Sequence, residues 1–217
     1  MAAPQKVLRK EAILGGTFDP IHNGHLRLAL ELQHALQLDR MSLMPCHRPV
    51  HRDNPGASAQ ARAEMVRLAI ADCPQLELDE RELRQDRPSY TFDTLQDIRG
   101  EIGPDVSLSW VVGMDAFIHL SSWHRWQELL DLAHLIVIGR PGYRLPEQGA
   151  EAEFLQTHRA PLAALDTTPQ GAIVLPALSM LDISATAIRQ QLAQGLSPRY
   201  LLPDNICDYL VDNRLYR

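Results

Sequence analysis

Short apolar runs alternate along this chain with stretches of helical spacing. Glu11-Ala12-Ile13-Leu14 reads as a first strand, and Leu26-Arg27-Leu28-Ala29-Leu30-Glu31-Leu32 after it has the spacing of a buried helix. Residues 41–44 predict a second strand. Ser58 reads as the N-cap of a helix through Arg62, Met65, Val66, Leu68 and Ala69. A short strand is expected over 76–79, and a helix carrying Leu95 and Ile98 opens at Thr91. Residues 106–112 are β-rich, 123–132 predict a helix, 134–138 a strand and 172–175 a last strand. Residues 143–171 are the least patterned and predict a short helix in an excursion. Helices are expected from Ser184 and from about Asp204.

Strands that alternate with helices predict right-handed βαβ units. The expected fold class is α/β: a Rossmann-like, doubly wound, mainly parallel sheet with helices on both faces and a C-terminal helical segment. One domain is expected over 1–217, with the ligand crevice at the carboxyl ends of the strands.

Composition narrows the function. A net charge of −6 argues against a general nucleic-acid binder, so an anionic ligand needs a locally basic site. No uninterrupted apolar stretch has the length of a membrane span. Met1-Ala2-Ala3-Pro4-Gln5-Lys6 lacks the apolar core of a signal peptide. Cys46, Cys73 and Cys207 are odd in number and widely spaced, which fits a reducing compartment. A cytoplasmic protein is expected, and whether it forms a homo-oligomer is left open. Cys46-His47 with His51 lacks a second thiol at ligand spacing, so no protein metal site is expected.

Chemistry concentrates in Gly15 to His25, which reads Gly-Gly-Thr-Phe-Asp-Pro-Ile-His-Asn-Gly-His. A strand turning through Gly15 and Gly16 into a helix brings N–H donors and partial positive charge to whatever sits above the turn. His22 and His25 leave the first turn on one side, where two imidazoles can bind phosphate oxygens and stabilise charge developing at phosphorus. Gly24 between them clears space for a close approach. A second anion site is expected at Asp182-Ile183-Ser184-Ala185-Thr186-Ala187-Ile188-Arg189. There a Ser184 cap places Thr186 and Arg189 in the first turns of a helix that ends near Gly195.

The first segment resembles the His-X-Gly-His signature of the nucleotidyltransferase superfamily. Its longer string is similar to that of one branch, the bacterial nicotinate mononucleotide adenylyltransferases. The second segment resembles the family's Ile-Ser-Ser-Thr-X-X-Arg motif, with Ala185 replacing the second serine. Pro88-Ser89-Tyr90-Thr91-Phe92-Asp93-Thr94-Leu95 is similar to its pyridine-pocket stretch. Gly113-Met114-Asp115 with Trp123 is similar to its Gly-X-Asp segment, and Tyr200 through Tyr216 to its C-terminal helices. The loop after the second strand departs from the pattern. Cys46-His47 stands where the family has asparagine, and Pro49-Val50-His51-Arg52 replaces a Pro-Pro-His-Lys-like run.

The resemblance implies transfer of AMP from ATP to nicotinate mononucleotide, giving deamido-NAD and pyrophosphate in NAD biosynthesis. It implies direct in-line displacement, for which alignment and charge stabilisation suffice. His25, with His22, would act on the α-phosphate and Thr17 between the two substrates, while Ser184, Thr186 and Arg189 would hold the leaving phosphates. Gly15, Gly16, Gly113 and Asp115 complete the expected ATP site. The mononucleotide is expected against Thr17, Phe18, Tyr90, Thr91, Phe92 and Trp123, with His51, Arg52 and Arg140 toward its phosphate. Backbone N–H groups near residues 90–92 or 123–124 would read the nicotinate carboxylate, with Arg125 the ion-pairing alternative. Mg²⁺ would arrive with ATP, mostly water-coordinated. The rival readings are a relative acting on nicotinamide mononucleotide, phosphopantetheine or another phosphate and, outside enzymes, a nucleotide-sensing module.

Overall fold

The computed structural model describes residues 7–47, 56–85 and 87–216. Six strands form one sheet: β1 (Arg9–Gly16), β2 (Arg40–Pro45), β3 (Leu76–Leu78), β4 (Val106–Gly113), β5 (His134–Ile138) and β6 (Ile173–Val174). Their spatial order is β3-β2-β1-β4-β5-β6, and every pairing is parallel. The sheet is therefore wholly parallel, and its order reverses between β1 and β4. At such a switch point the loops leaving neighbouring strands diverge and open a crevice.

Side chains alternate along each strand, and helices cover both faces. On one face Ala12, Leu14, Met41, Leu43, Val111 and Ile136 meet Ala29 and Leu32 of α1 (Asn23–Leu36) and Met65 and Val66 of α2 (Ala59–Ala69). On the other, Ile13, Met44, Leu108, Trp110, Val112 and Leu135 meet Phe92, Leu95 and Ile98 of α3 (Thr91–Ile102). A short helix α4 (Met114–Phe117) leaves β4 directly. The excursion over 143–171 contains α5 (Ala150–His158) and α6 (Ala164–Thr167), two helices rather than one. The last elements are α7 (Ala185–Ala193) and α8 (Asp204–Asp212), which add Ile188, Ile206 and Leu210 to the first core.

The helix expected over 123–132 is corrected. Trp123 is extended (φ −80°, ψ 147°), Arg125 is left-handed (φ 53°), and only Trp126–Asp131 coils, as a 3₁₀ helix. The left-handed residue interrupts regular hydrogen bonding, and Trp123 and His124 before it line the crevice. Ser58 does cap α2, accepting from the Ala61 N–H at 3.2 Å.

Candidate active site

A cleft of ≈ 1330 Å³ opens at the carboxyl ends of the strands. Gly15, Gly16, Thr17, Phe18, His22 and His25 line it from β1 and the turn into α1. Gly113, Asp115 and Arg140 line it from β4 and the end of β5. Tyr90, Thr91 and Trp123 form one wall, and Ser184, Thr186 and Arg189 another. Of the predicted residues, Phe92 stands behind the wall: it is 3% exposed and packs in the second core. His51 and Arg52 lie outside the described residues.

Steric demand explains the glycines. A Cβ on Gly15 would lie 2.5 Å from Cζ2 of Trp110, and one on Gly24 would lie 3.0 Å from Nδ1 of His22. The turn between them places Phe18 at φ 49°, where its buried ring meets His25 edge-on, centroids 5.0 Å apart. Phe18 thus supports His25 from the core, and little of its side chain remains for a substrate.

The His22 carbonyl accepts from the N–H groups of His25 at 2.9 Å and Leu26 at 3.2 Å, starting α1. The His22 and His25 rings stack with centroids 3.6 Å apart and planes 20° from parallel. Burial, aided by the Arg140 charge, lowers His22 from 6.5 to about 4, so it is neutral at physiological pH. Two stacked imidazolium ions would repel each other. A neutral His22 removes that cost and keeps its ring pressed behind His25.

At the second anion site Ser184 Oγ accepts from the Ala187 N–H at 3.5 Å, a long cap bond. Arg189 donates from Nη1 to the carbonyl of Asp19 at 2.7 Å, tying α7 to the first motif. The starts of α1 and α7 therefore face one cleft, where both can offer donors to anions.

Asp115 and Arg140, predicted for ribose and phosphate, form an ion pair with each other. The pyridine wall is aromatic. Tyr90 meets the ring of His124 at 4.8 Å, and Trp123 is half-buried beside them. Arg125 lies 3.6 Å over the Phe92 ring and is ion-paired with Glu128. Two of the expected backbone donors are engaged inside the protein: Tyr90 N–H with Pro88 O at 3.1 Å and Trp123 N–H with Leu120 O at 2.9 Å. Of the expected donors, the N–H groups of Thr91, Phe92 and His124 remain as candidates for a carboxylate.

Several residues of the site were not singled out in the sequence. Asp19 and His119 line the cleft, as does Glu82, a buried carboxyl pushed up by burial that accepts from Thr94 Oγ1 at 2.8 Å. Asn23 binds the backbone of Tyr200 and Leu201, each at 2.9 Å, anchoring α1 to the C-terminal segment. The His47 N–H donates to Ser89 Oγ at 3.1 Å, joining the end of β2 to the pyridine wall. Asp19 and Asn23 lay inside the motif string, and their polarity next to an apolar core was the available signal.

The chain is similar in sequence and in fold to known proteins. A family model described as cytidylyltransferase-like matches residues 13–191. A Cellvibrio japonicus protein named probable nicotinate-nucleotide adenylyltransferase is 52% identical over 205 residues, covering 94% of this chain and 97% of its own. A Marinobacter nauticus protein of the same name is 51% identical over 197 residues, covering 90% and 91%. In fold, the chain is similar to Plasmodium falciparum nicotinic acid mononucleotide adenylyltransferase complexed with NaAD. The TM-score is 0.73 at 18% identity, over 96% of this chain and 97% of that one. The chain belongs to the cytidylyltransferase-like proteins and, within them, to the nicotinate-nucleotide adenylyltransferase family.

Proposed function

We propose that this chain joins nicotinate mononucleotide to the AMP moiety of ATP, forming deamido-NAD and releasing pyrophosphate. The observation that carries the reading is the convergence on one cleft of two helix starts and an aromatic wall. Two anion sites suit a triphosphate whose α-phosphorus is attacked at one and whose β- and γ-phosphates leave at the other. The aromatic wall suits a flat ring.

In this reading the mononucleotide phosphate is the nucleophile, and no side chain is acylated or phosphorylated. His25 donates to the α-phosphate as charge builds in the transition state, backed by His22 and Phe18. Thr17 contacts the phosphates between the two substrates. Ser184, Thr186 and Arg189 hold the departing pyrophosphate. Trp123 stacks on the pyridine ring, and the Thr91 and His124 N–H groups pair with its carboxylate. Arg140 releases Asp115 to the ribose hydroxyls when the mononucleotide phosphate takes its charge.

ATP enters as its Mg²⁺ complex. Among the described residues no three His, Cys, Asp or Glu side chains converge on a metal position, and Asp115 is engaged by Arg140. In this reading the ion travels with the substrate and neutralises phosphate charge there. Among the same residues no helix is long and apolar enough to cross a membrane.

Substrate profiling tests the reading. Purified protein is assayed for pyrophosphate release with nicotinate mononucleotide, nicotinamide mononucleotide, phosphopantetheine and glycerol phosphate, each with ATP or CTP. Nicotinate mononucleotide with ATP is expected to give the highest kcat/KM. A preference for phosphopantetheine or for CTP moves the chain to another branch. Binding of ATP without turnover of any pair makes it a sensor.

A further inference from the structure

Asp19 lies in the motif turn with its side chain 6% exposed, and donors from three distant segments surround its carboxylate. The N–H groups of Gly56 and Ala57 bind it at 2.8 and 3.0 Å, and the Tyr216 phenol at 2.5 Å. Arg189 reaches it only at 3.6 Å, although the same Nη1 donates to the Asp19 carbonyl at 2.7 Å. The Tyr216 ring also covers Gly56, where an added Cβ would lie 3.0 Å from Cε1. Tyr216 itself sits at φ 61°, a conformation that a large side chain adopts only when its surroundings hold it.

These bonds compete. A buried carboxylate beside a guanidinium forms a close, forked ion pair unless other donors hold it in another orientation. Here the Tyr216 phenol and the Ala57 N–H hold Oδ1 and the Gly56 N–H holds Oδ2, which fixes the carboxylate with Oδ2 3.6 Å from the guanidinium. Its charge then remains available to the cleft, while the carbonyl bond fixes its direction. Burial and the neighbouring Asp19 carboxylate push the Tyr216 phenol well up, which keeps its proton in place for donation.

We propose that Tyr216 is a positioning residue for pyrophosphate: its phenol holds Asp19 off Arg189 and so leaves the guanidinium aimed at the leaving group. The inference rests on the reading of Arg189 given above. Without the phenol, Oδ1 loses its shortest hydrogen bond, the carboxylate is free to turn, and Oδ2 closes on Arg189 and draws the guanidinium out of the cleft.

The test is the reverse reaction, from deamido-NAD and pyrophosphate, in wild type and Tyr216→Phe, which keeps the ring over Gly56. The KM for pyrophosphate is expected to rise about three- to thirty-fold, the scale for one hydrogen bond to a charged group acting at one remove. The KM for deamido-NAD should stay within about twofold, because no adenosine or pyridine contact passes through Tyr216. In an Arg189→Lys background, Tyr216→Phe should add almost nothing, since the group it positions has gone. Should Tyr216→Phe not fold, Asp19→Asn is the second probe: it leaves no carboxylate to draw on Arg189, so the KM for pyrophosphate should not rise, and a rise overturns the inference. An unchanged pyrophosphate KM overturns the inference, as does an equal loss in both backgrounds, which would mark a merely structural tyrosine. Calorimetric titration of pyrophosphate into both proteins reads the same ratio without turnover. A wild type that binds pyrophosphate but does not turn over would therefore sink the proposed function while the Kd ratio still decides the role of Tyr216.

Discussion

The guanidinium of Arg62 donates to the backbone oxygen of Thr17 at 2.6 Å, from a side chain that is 1% exposed. Its other amino group donates to the carbonyls of Cys46 at 2.7 Å and His47 at 3.3 Å. One buried cation thus joins the loops leaving β1 and β2 through three backbone carbonyls. Arg62→Ala removes those donors and leaves a cavity, so a destabilisation of about 3–5 kcal/mol is expected. Urea denaturation measures it. A loss below about 0.5 kcal/mol would match an ordinary surface substitution and refute the assignment.

The depressed pKa of His22 sets the direction of the acid response. Its unfolded value is 6.5 and its folded value about 4, so between those pH values the unfolded chain binds a proton that the folded chain does not. Stability rises with pH in that window and falls as the pH drops from 6.5 toward 4. The maximum contribution is about 3 kcal/mol. His22→Asn should flatten this part of the stability–pH curve of the free protein. An unchanged slope between pH 6.5 and 4 would mean that His22 is solvated and titrates normally.

His25 acts on the transition state more than on bound ATP in the proposed reaction. His25→Ala should lower kcat by roughly two to three orders of magnitude, the scale for one oriented donor at developing charge. ATP affinity should change far less. Single-turnover rates and equilibrium ATP binding separate the two effects. A large loss of binding with a near-normal rate would reassign His25 to ground-state phosphate binding.

We predict that Arg125 does not read the nicotinate carboxylate in the proposed reaction. Its charge is paired with Glu128 and it lies over Phe92, which favours backbone donors for selecting acid over amide. Arg125→Ala should keep the wild-type ratio of kcat/KM for the two mononucleotides. An amide presents an N–H₂ edge to one N–H donor, and that mispairing costs on the order of 1–3 kcal/mol whether or not Arg125 is present. Collapse of the ratio in the variant would restore the ion-pair account.

The alternation of strands and helices, and the motifs that follow them, were legible in the chain because they depend on local periodicity. A run such as Ala12-Ile13-Leu14 must be buried on both faces, and Gly15-Gly16 must turn sharply after it. Ser58 and Ser184 announced helix starts because a hydroxyl cap acts within three residues of itself. His22, His25, Thr186 and Arg189 were identifiable for the same reason: each lies in the first turns of a helix whose start was marked. The 3₁₀ coil over Trp126–Asp131 escaped because its apolar spacing fits an α-helix equally well, and only the left-handed Arg125 excludes one.

What tertiary structure alone decided are the contacts between parts far apart in the chain. The burial of Arg62, the pairing of Asp115 with Arg140 and the meeting of Asp19, Arg189 and Tyr216 leave no trace in local periodicity. Arg62 reads as a solvated helix arginine until the loops of β1 and β2 close over it. Tyr216 and Asp19 are 197 positions apart, and only α8 packing back on the first core brings the phenol to the motif turn. Local sequence thus determined which groups are candidates for the chemistry, since strand, turn and cap are short-range choices. The sheet order determined which of those groups face one another and what charge each retains, since burial and ion pairing depend on neighbours that the chain supplies from elsewhere.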